Sequence, residues 1–430
     1  MKIAMLMSVY GEHAVGGAER TAAQVAEALA ARGHELSLIS LSSPHDSFHT
    51  TGQLVMPNVM NYRVPLSQSY DPYGLDGRPK KQKTPGALAK AWWHFRDVYN
   101  WVMTRRVKIL LQKIKPDLLL THTLQGFSVG VWGAAQSLGI RVMHMTHDHA
   151  LICPATAMTK GSRVCEQVCT SCQSYSHLRH FVAAKPDAIV GPSQIILDRH
   201  RQFGWFRDVA QQFVIPNALS ESWPQIDSAS LAVLQDHSTI HFGFLGRVDE
   251  SKGADVVIQA FAKLPRKLAR RWQMHFAGAG TLNQIQTWYE AGMSDATAHL
   301  TWEEASQDIY FHGVVQASQF LQQIHVLIAP SRAHETFCNV VMEAAGLGRP
   351  SIVSNRGALP ERVHNETSGW ITPAGDVQAL GLQIQNLIEN PSLIYPKALA
   401  ALQTRPNYHP DLQAQRFEDS IKIVIEQGKL

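Results

Sequence analysis

The 430-residue sequence predicts an α/β protein built of two doubly wound, parallel-sheet domains. Short apolar runs alternate with amphipathic helical patterns along the chain, and the alternation comes in two successive series. Alternating strand and helix calls for parallel strands joined by crossover helices. A hydrophobic content of 45% is enough to fill a core in each domain.

The first series of strands is "KIAMLMSVY", "ELSLISL", "DLLLTHT", "RVMHMTH", "AIVGPS" and "FVIPNAL". The second is "IHFGFLGR", "WQMHFAGAG", "DIYFHG", "VLIAPS", "PSIVSN" and "GWITP". Between them lie helical patterns such as "GAERTAAQVAEALAARGH" and "GADVVIQAFAKL", ending near Gly or Pro. Each series reads as a Rossmann-like domain, the first over 1–218 and the second over 219–410, with the change near "PNALSESWPQ". A last amphipathic helix over 411–430 is expected to pack back on the first domain. Ligands of such sheets bind at the carboxyl ends of strands, so a cleft between facing domains is the expected site.

No run of 18 or more apolar residues occurs, which excludes a spanning helix of the usual length. The start "MKIAMLMSVYG" reads as a first strand rather than a leader, and a cytoplasmic protein is expected. A net charge of +4 is too small to argue for nucleic acid. The charge is uneven, however. Residues 78–115 carry eleven Lys/Arg against the single acid Asp97, with Trp92, Trp93, Phe95, Tyr99 and Trp101 interleaved. That composition suits a peripheral contact with an anionic membrane surface, or a solvated helix whose aromatics pack inward.

Gly16 and Gly17 follow the first strand and open a helix, where glycine lets the backbone approach a ligand and free amides favour an anion. The sequence there is neither G-x-G-x-x-G nor a P-loop, which argues against nicotinamide and P-loop chemistry. In "FLGRVDESKGADVV", Arg247 and Lys252 place two cations in one strand–helix loop, a pairing suited to a diphosphate. In "HETFCNVVMEAAGLGRPSIVSN", Glu335 and Glu343 are eight residues apart, with Thr336, Phe337 and Cys338 between them at the mouth of an apolar helix. As helix, eight residues rise about 12 Å, too far for a tight acid/base pair but suited to the two ends of an elongated ligand.

Together these motifs resemble glycosyltransferase family 4, whose members have the GT-B fold of two Rossmann-like domains facing each other across a cleft. The resemblance spans nearly the whole chain. It rests on Gly16-Gly17-Ala18-Glu19-Arg20, on Gly246-Arg247 with Lys252-Gly253, and above all on Glu335 and Glu343 followed by "AAGLGRPSIVSNRGALPERV". One departure is "RGALPE", where the family usually has Gly-Gly before Pro-Glu.

The resemblance implies a retaining hexosyltransferase using a UDP- or GDP-hexose and a saccharide or lipid-linked acceptor of the cell envelope. It implies that Glu335 touches the donor sugar, that Glu343 holds the ribose, and that the segment Thr336 to Cys338 faces the diphosphate. Arg247 and Lys252 then neutralise charge on the leaving group, and no catalytic metal is expected. His147, at the end of a first-domain strand and followed by Asp148, matches the family histidine that approaches the sugar.

Cys153, Cys165, Cys169 and Cys172 fall within twenty residues of one another. Clustered thiols in a cytosolic protein suggest a structural zinc, with four reduced cysteines as the alternative. Cys338 reads as packing. Two other functions compete: a nucleotide-sugar epimerase or hydrolase of the same fold, and a nucleic-acid-binding protein built on the cysteine cluster, which would leave the Glu and Arg/Lys motifs idle.

Overall fold

The computed structural model describes residues 1–11, 16–68, 71–75, 86–160, 163–229, 231, 238–293, 299–364 and 366–426. Arg78, Lys80, Lys81 and Lys83 of the basic stretch lie outside the described residues. The chain divides into two compact units. One comprises 1–158, 166–218 and 410–430, and the other 159–165 and 219–409.

The first unit begins with β1 (Lys2–Leu6), α1 (Gly17–Ala31), β2 (Glu35–Ser42), β3 (Gln53–Met56) and β4 (Val59–Pro65). Helices α2 (Ala87–Val98) and α3 (Trp101–Ile114) lead to β5 (Leu118–Thr121), α4 (Gly130–Gln136) and β6 (Arg141–Met145). A small hairpin that groups with the second unit, β7 (Thr159–Lys160) and β8 (Arg163–Val164), interrupts the first before α5 (Thr170–Val182), β9 (Ala188–Gly191), α6 (Gln194–Gln202) and β10 (Gln211–Val214). The sheet order is β10-β9-β6-β5-β1-β2-β4-β3, parallel except for the β3–β4 pair.

In α1, Thr21, Ala22, Val25, Ala26, Leu29 and Ala30 are buried, at the spacing of one helix face. All of these but Thr21 join Ile3, Met5, Leu118 and Leu120 in one core. The C-terminal helix Pro410–Glu426 joins this core through Phe417, Ile421 and Val424, with Arg32 bonded to Glu418 at 2.7 Å.

The second unit holds β11 (Ile240–Leu245), α7 (Ala254–Ala262), β12 (Trp272–Ala277), β13 (Ile309–Phe311), β14 (Val326–Ala329), β15 (Ser351–Ser354) and β16 (Gly369–Thr372), with further helices between the strands. Its order is β13-β12-β11-β14-β15-β16, all parallel. Strands such as β14 and β15 are buried along their whole length, as parallel strands covered on both faces must be.

All twelve strand runs read from the sequence form strands. The strands β3, β4, β7 and β8 were not among them: β3, β7 and β8 are short and partly exposed, and β4, which pairs in parallel with β2, is interrupted by Asn61 and Arg63 and is not a continuous apolar run. In each main sheet the order in which the chain adds strands reverses once. The first does so between β1 and β5, the second between β11 and β14. In open sheets such a switch point opens a crevice at the strands' carboxyl ends.

Candidate active site

At the switch point of the second sheet, the loop after β11 meets the loop after β14. The first loop is wound by Asp249, whose Oδ1 accepts from the Lys252 backbone N–H at 3.0 Å and from the Ser251 hydroxyl at 2.6 Å. Gly253 closes it at φ +77°, where a Cβ would lie 2.5 Å from the Pro330 carbonyl oxygen. The Arg332 and Ala333 backbone N–H groups both donate to the Ser251 carbonyl, clasping the loops together. An ion pair of 2.7 Å between Arg332 and Asp255 at the start of α7 adds to the clasp.

The clasp brings Lys252 onto Glu335, Nζ to Oε1 at 2.6 Å. The Ser331 Oγ lies 2.8 Å from the same carboxylate oxygen and 3.1 Å from the Ser251 carbonyl, so its single hydrogen serves one of them at a time. Burial raises the Glu335 carboxyl, but Lys252, Ser331 and Arg247 outweigh it and hold the group below the usual glutamate range. The same carboxylate, against burial, raises Lys252. Arg247 is loosely held: its side chain is 66% exposed and lies 3.3 Å from Asp249.

The helix bearing Glu343 spans only Asn339–Ala345, so Glu335 precedes it by four residues. Cys338, at φ +67°, stops the helix from extending backwards. The rise of about 12 Å expected of eight helical residues therefore does not apply to this pair. Glu343 is half-buried on the helix. Thr336 is half-buried, whereas the Phe337 side chain is core, edge-on to Tyr408 and covered by the Arg362 guanidinium 4.2 Å from its centroid. Burial first, then Glu335, pushes the Cys338 thiol up to about 12, with Glu343 adding and Lys252 opposing. That thiol is no nucleophile at neutral pH.

Gly357 is the one glycine of "RGALPE", the turn where the sequence departs from the family's Gly-Gly. It adopts φ +52°, and a Cβ there would lie 2.6 Å from the Glu335 backbone nitrogen. Its neighbour Ala358 donates to the Glu335 carbonyl at 2.8 Å. The single glycine at this turn is thus what lets the chain close over Glu335.

In the first unit, Gly16 caps α1 and Gly17 is its first residue. Glu19 turns back so far that a Cβ on Gly16 would collide with its carboxylate. A small cavity is lined by His122, Thr123 and Gln125 from the loop after β5 and by Thr146, His147 and Asp148 after β6. His147 Nε2 lies 2.8 Å from His122 Nδ1, with the two rings stacked. Burial lowers His147 to about 4. It also raises Asp148 to about 6, opposed by the Ala150 N–H and aided by Glu19.

Behind these loops Asp97 of α2 and Arg179 of α5 form an ion pair of 2.9 Å, both side chains 0% exposed. Asp97 also accepts from Gly126 N–H at 2.6 Å, and Arg179 donates to the Ala150 carbonyl at 2.9 Å.

None of the five cysteines forms a disulfide. Cys172 Sγ lies 3.6 Å from Cys153 Sγ. Burial, followed by contacts with Cys169 and Cys153, raises the Cys172 thiol. Cys165 ends the 159–165 segment that groups with the second unit. Among the described residues, no three His, Cys, Asp or Glu side chains form a group that could hold a metal ion.

Residues 239–390 match the family described as glycosyl transferases group 1, and residues 16–218 match the glycosyl transferase 4-like domain. The chain belongs to the family 4 type of glycosyltransferases. This glycosyltransferase is 25% identical over 362 residues to an uncharacterized 42.6 kDa protein in the cps region of Klebsiella pneumoniae, covering 84% of this chain and 87% of that one. It is 25% identical over 181 residues to the amylovoran biosynthesis glycosyltransferase AmsK of Erwinia amylovora, over 40% of this chain and 42% of that one.

Among solved structures it is similar to sucrose-phosphate synthase from Thermosynechococcus elongatus, with TM-score 0.71 and 17% identity over 99% of both chains. It is also similar to Anabaena HepE in complex with UDP, with TM-score 0.67 and 16% identity over 98% of this chain and 100% of that one. The fold of the glycosyltransferase is GT-B. Among the described residues, no helix is long and apolar enough to cross a membrane.

Proposed function

We propose that this glycosyltransferase moves a hexose from a UDP- or GDP-sugar to a saccharide or lipid-linked acceptor of the cell envelope, with retention of configuration. The observation that carries the reading is the Lys252–Glu335 pair at the switch point of the second sheet. Two loops 83 residues apart in sequence set a cation against a carboxylate there. That pairing suits a ligand with phosphate at one end and sugar hydroxyls at the other.

Lys252 carries three N–H donors, so it can bond Glu335 and a phosphate oxygen together. Arg247, exposed and weakly paired, gives up little on turning to the diphosphate. Both cations stabilise charge growing on the leaving nucleoside diphosphate. Lys252, held in place beforehand by Glu335, needs little reorganisation as the bond breaks. With that charge met by side chains, no catalytic metal is invoked. Glu335 bonds the transferred sugar and Glu343 the ribose, and His147 has the sugar-directed role that the family resemblance implies. The structure of HepE with UDP supports the nucleotide assignment. The names of AmsK and of the protein from the cps region support an envelope polysaccharide as product.

The test is calorimetry with a panel of nucleotide sugars and nucleoside diphosphates on wild type, Glu335→Ala and Glu343→Ala. Glu343→Ala is expected to weaken binding of the nucleoside diphosphate. Glu335→Ala is expected to keep that affinity and lose turnover. Equal loss of affinity in both variants overturns the assignment.

A further inference from the structure

His122 stands directly after β5 and His147 two residues after β6, and these strands are adjacent and parallel, with Thr121 paired to His144. The backbone at both positions is anchored. His122 N–H donates to the Leu6 carbonyl of β1 at 2.8 Å, and Thr146 N–H donates to the Val190 carbonyl of β9 at 2.8 Å. Thr123 is fixed as well, its hydroxyl oxygen accepting from Ser8 N–H at 2.7 Å. From behind, Asp97 holds Gly126 of one loop and Arg179 holds Ala150 of the other. Little in the backbone is left to bring the rings to 2.8 Å by chance.

His122 is 2% exposed and His147 9%. A hydrogen bond between two imidazole nitrogens requires one to carry the hydrogen and the other to accept it. Two cationic rings at this distance, both out of water, are excluded by desolvation and repulsion. Burial, then His147 and His144, keeps His122 well below the usual imidazole range. Around the pair stand His144, itself neutral for the same reason, and Asp148, with Arg179 and Glu19 acting electrostatically on these neighbours.

The geometry points to His122 as the positioning residue of the transfer site: through the Nδ1–Nε2 hydrogen bond it fixes the orientation and tautomer of His147, the ring presented to the donor sugar. This rests on the glycosyl-transfer reading for its consequence, though the hydrogen bond can be tested without it. His122 itself meets no substrate in this assignment. It acts only through its neighbour, as the partner that chooses which nitrogen of a histidine carries the proton.

The experiment uses the full chain with two substitutions. His122→Phe keeps a stacked ring of similar size and removes the nitrogen. His122→Asn restores a polar atom near the position of Nδ1. Nitrogen-15 spectra of the imidazoles report the His147 tautomer without any substrate. Steady-state kinetics with the nucleotide sugar that wild type turns over report the consequence.

His122→Phe is expected to change the His147 nitrogen shifts and to lower kcat about 10- to 100-fold while KM for the donor moves far less, the pattern of a misplaced group rather than a lost binding contact. His122→Asn is expected to recover most of that loss. Unchanged His147 shifts in His122→Phe overturn the inference, as does wild-type kcat in that variant. Equal loss of kcat in His122→Asn and His122→Phe also overturns it, because ring shape would then matter and the hydrogen bond would not. If wild type transfers no sugar, the proposed function fails, and the nitrogen shifts still decide the hydrogen bond.

Discussion

Replacing Arg179 by Met should strike the first unit hard, and by an amount that depends on pH. The guanidinium and its partner Asp97 are both 0% exposed, so the variant leaves a carboxylate buried with only the Gly126 N–H beside it. It also strips donors from the Ala150 and Asp97 carbonyls. Removing one member of a buried pair costs about 3–5 kcal/mol, a large share of the roughly 5–15 kcal/mol that holds a domain together.

Asp97 can escape part of this cost by taking a proton. Burial already raises it to about 6, with Arg179 and the Gly126 N–H pulling down, so losing Arg179 raises it further. An acid whose folded pKa lies above its unfolded value, near 3.9 for aspartate, favours folding most below that unfolded value. The advantage is lost as pH rises through the folded value. Stability of Arg179→Met should therefore fall from about pH 4 through pH 6 and beyond, and its deficit against wild type should be larger at pH 8 than at pH 5. Urea unfolding followed by tryptophan fluorescence measures both. Adding Asp97→Asn, whose amide oxygen still accepts from Gly126, should return more than half of the loss at pH 8. A deficit below about 1 kcal/mol at pH 8, or equal deficits at the two pH values, would refute the reasoning.

At the donor end, Arg247→Ala and Lys252→Ala should each lower turnover on the order of 10²-fold or more, with activity surviving chelator; strict dependence on added magnesium or manganese contradicts the metal-free reading. Gly357→Ala should lower turnover and leave Glu335 mispositioned, since its Cβ meets the Glu335 backbone; wild-type kinetics would show that the turn can yield. For the cysteines, a zinc would need Cys165 and Cys169 to close on the Cys153–Cys172 pair, which alone stands at 3.6 Å; elemental analysis giving about one zinc per chain would support that proposal. Four freely titrating thiols and no metal would remove that proposal. Vesicles rich in anionic lipid should bind the protein through the exposed Trp92, Phe95 and Trp101, with Lys90→Glu and Arg105→Glu each weakening binding by roughly 1 kcal/mol. Wild-type sedimentation of the charge-reversed protein would make the stretch a solvated face.

The fold was legible because parallel strands buried on both faces read as continuous apolar runs, and all twelve are present. What the runs could not disclose was their lateral order. That order, reversing at β11 and β14, brings Lys252 to Glu335. Family resemblance pointed to both residues, but the clasp of Asp249, Ser251 and Ser331 left no mark in sequence because serine and aspartate are ordinary in loops. His122 was in view, one of 21 histidines, at the end of a quoted strand. Its signal was positional: like His147, it follows a first-unit strand at the carboxyl end.

In the basic stretch burial separates the two readings residue by residue. Trp93 packs inward at 5% exposed, as the solvated-helix alternative expects, while Trp92 and Trp101 are exposed. Arg106 bonds the Pro65 carbonyl at 2.6 Å and lies over the Phe48 ring. Asp97, the lone acid, is not on the surface, so the exposed ionic groups left on α2 and α3 are basic. The spacing held the clue, since Asp97 lies four residues after Trp93 on one helix face. The same acid bonds α5, which packs on α2; each helix also carries exposed apolar side chains, Leu178 and Phe181 on α5 and Leu88, Trp92 and Phe95 on α2. One buried ion pair thus ties the two helices that carry an apolar surface to the two loops that carry His122 and His147. A change that shifts α2 against α5 must strain Gly126 and Ala150 as well, because a fully buried charge pair cannot part without exposing both charges to an apolar interior.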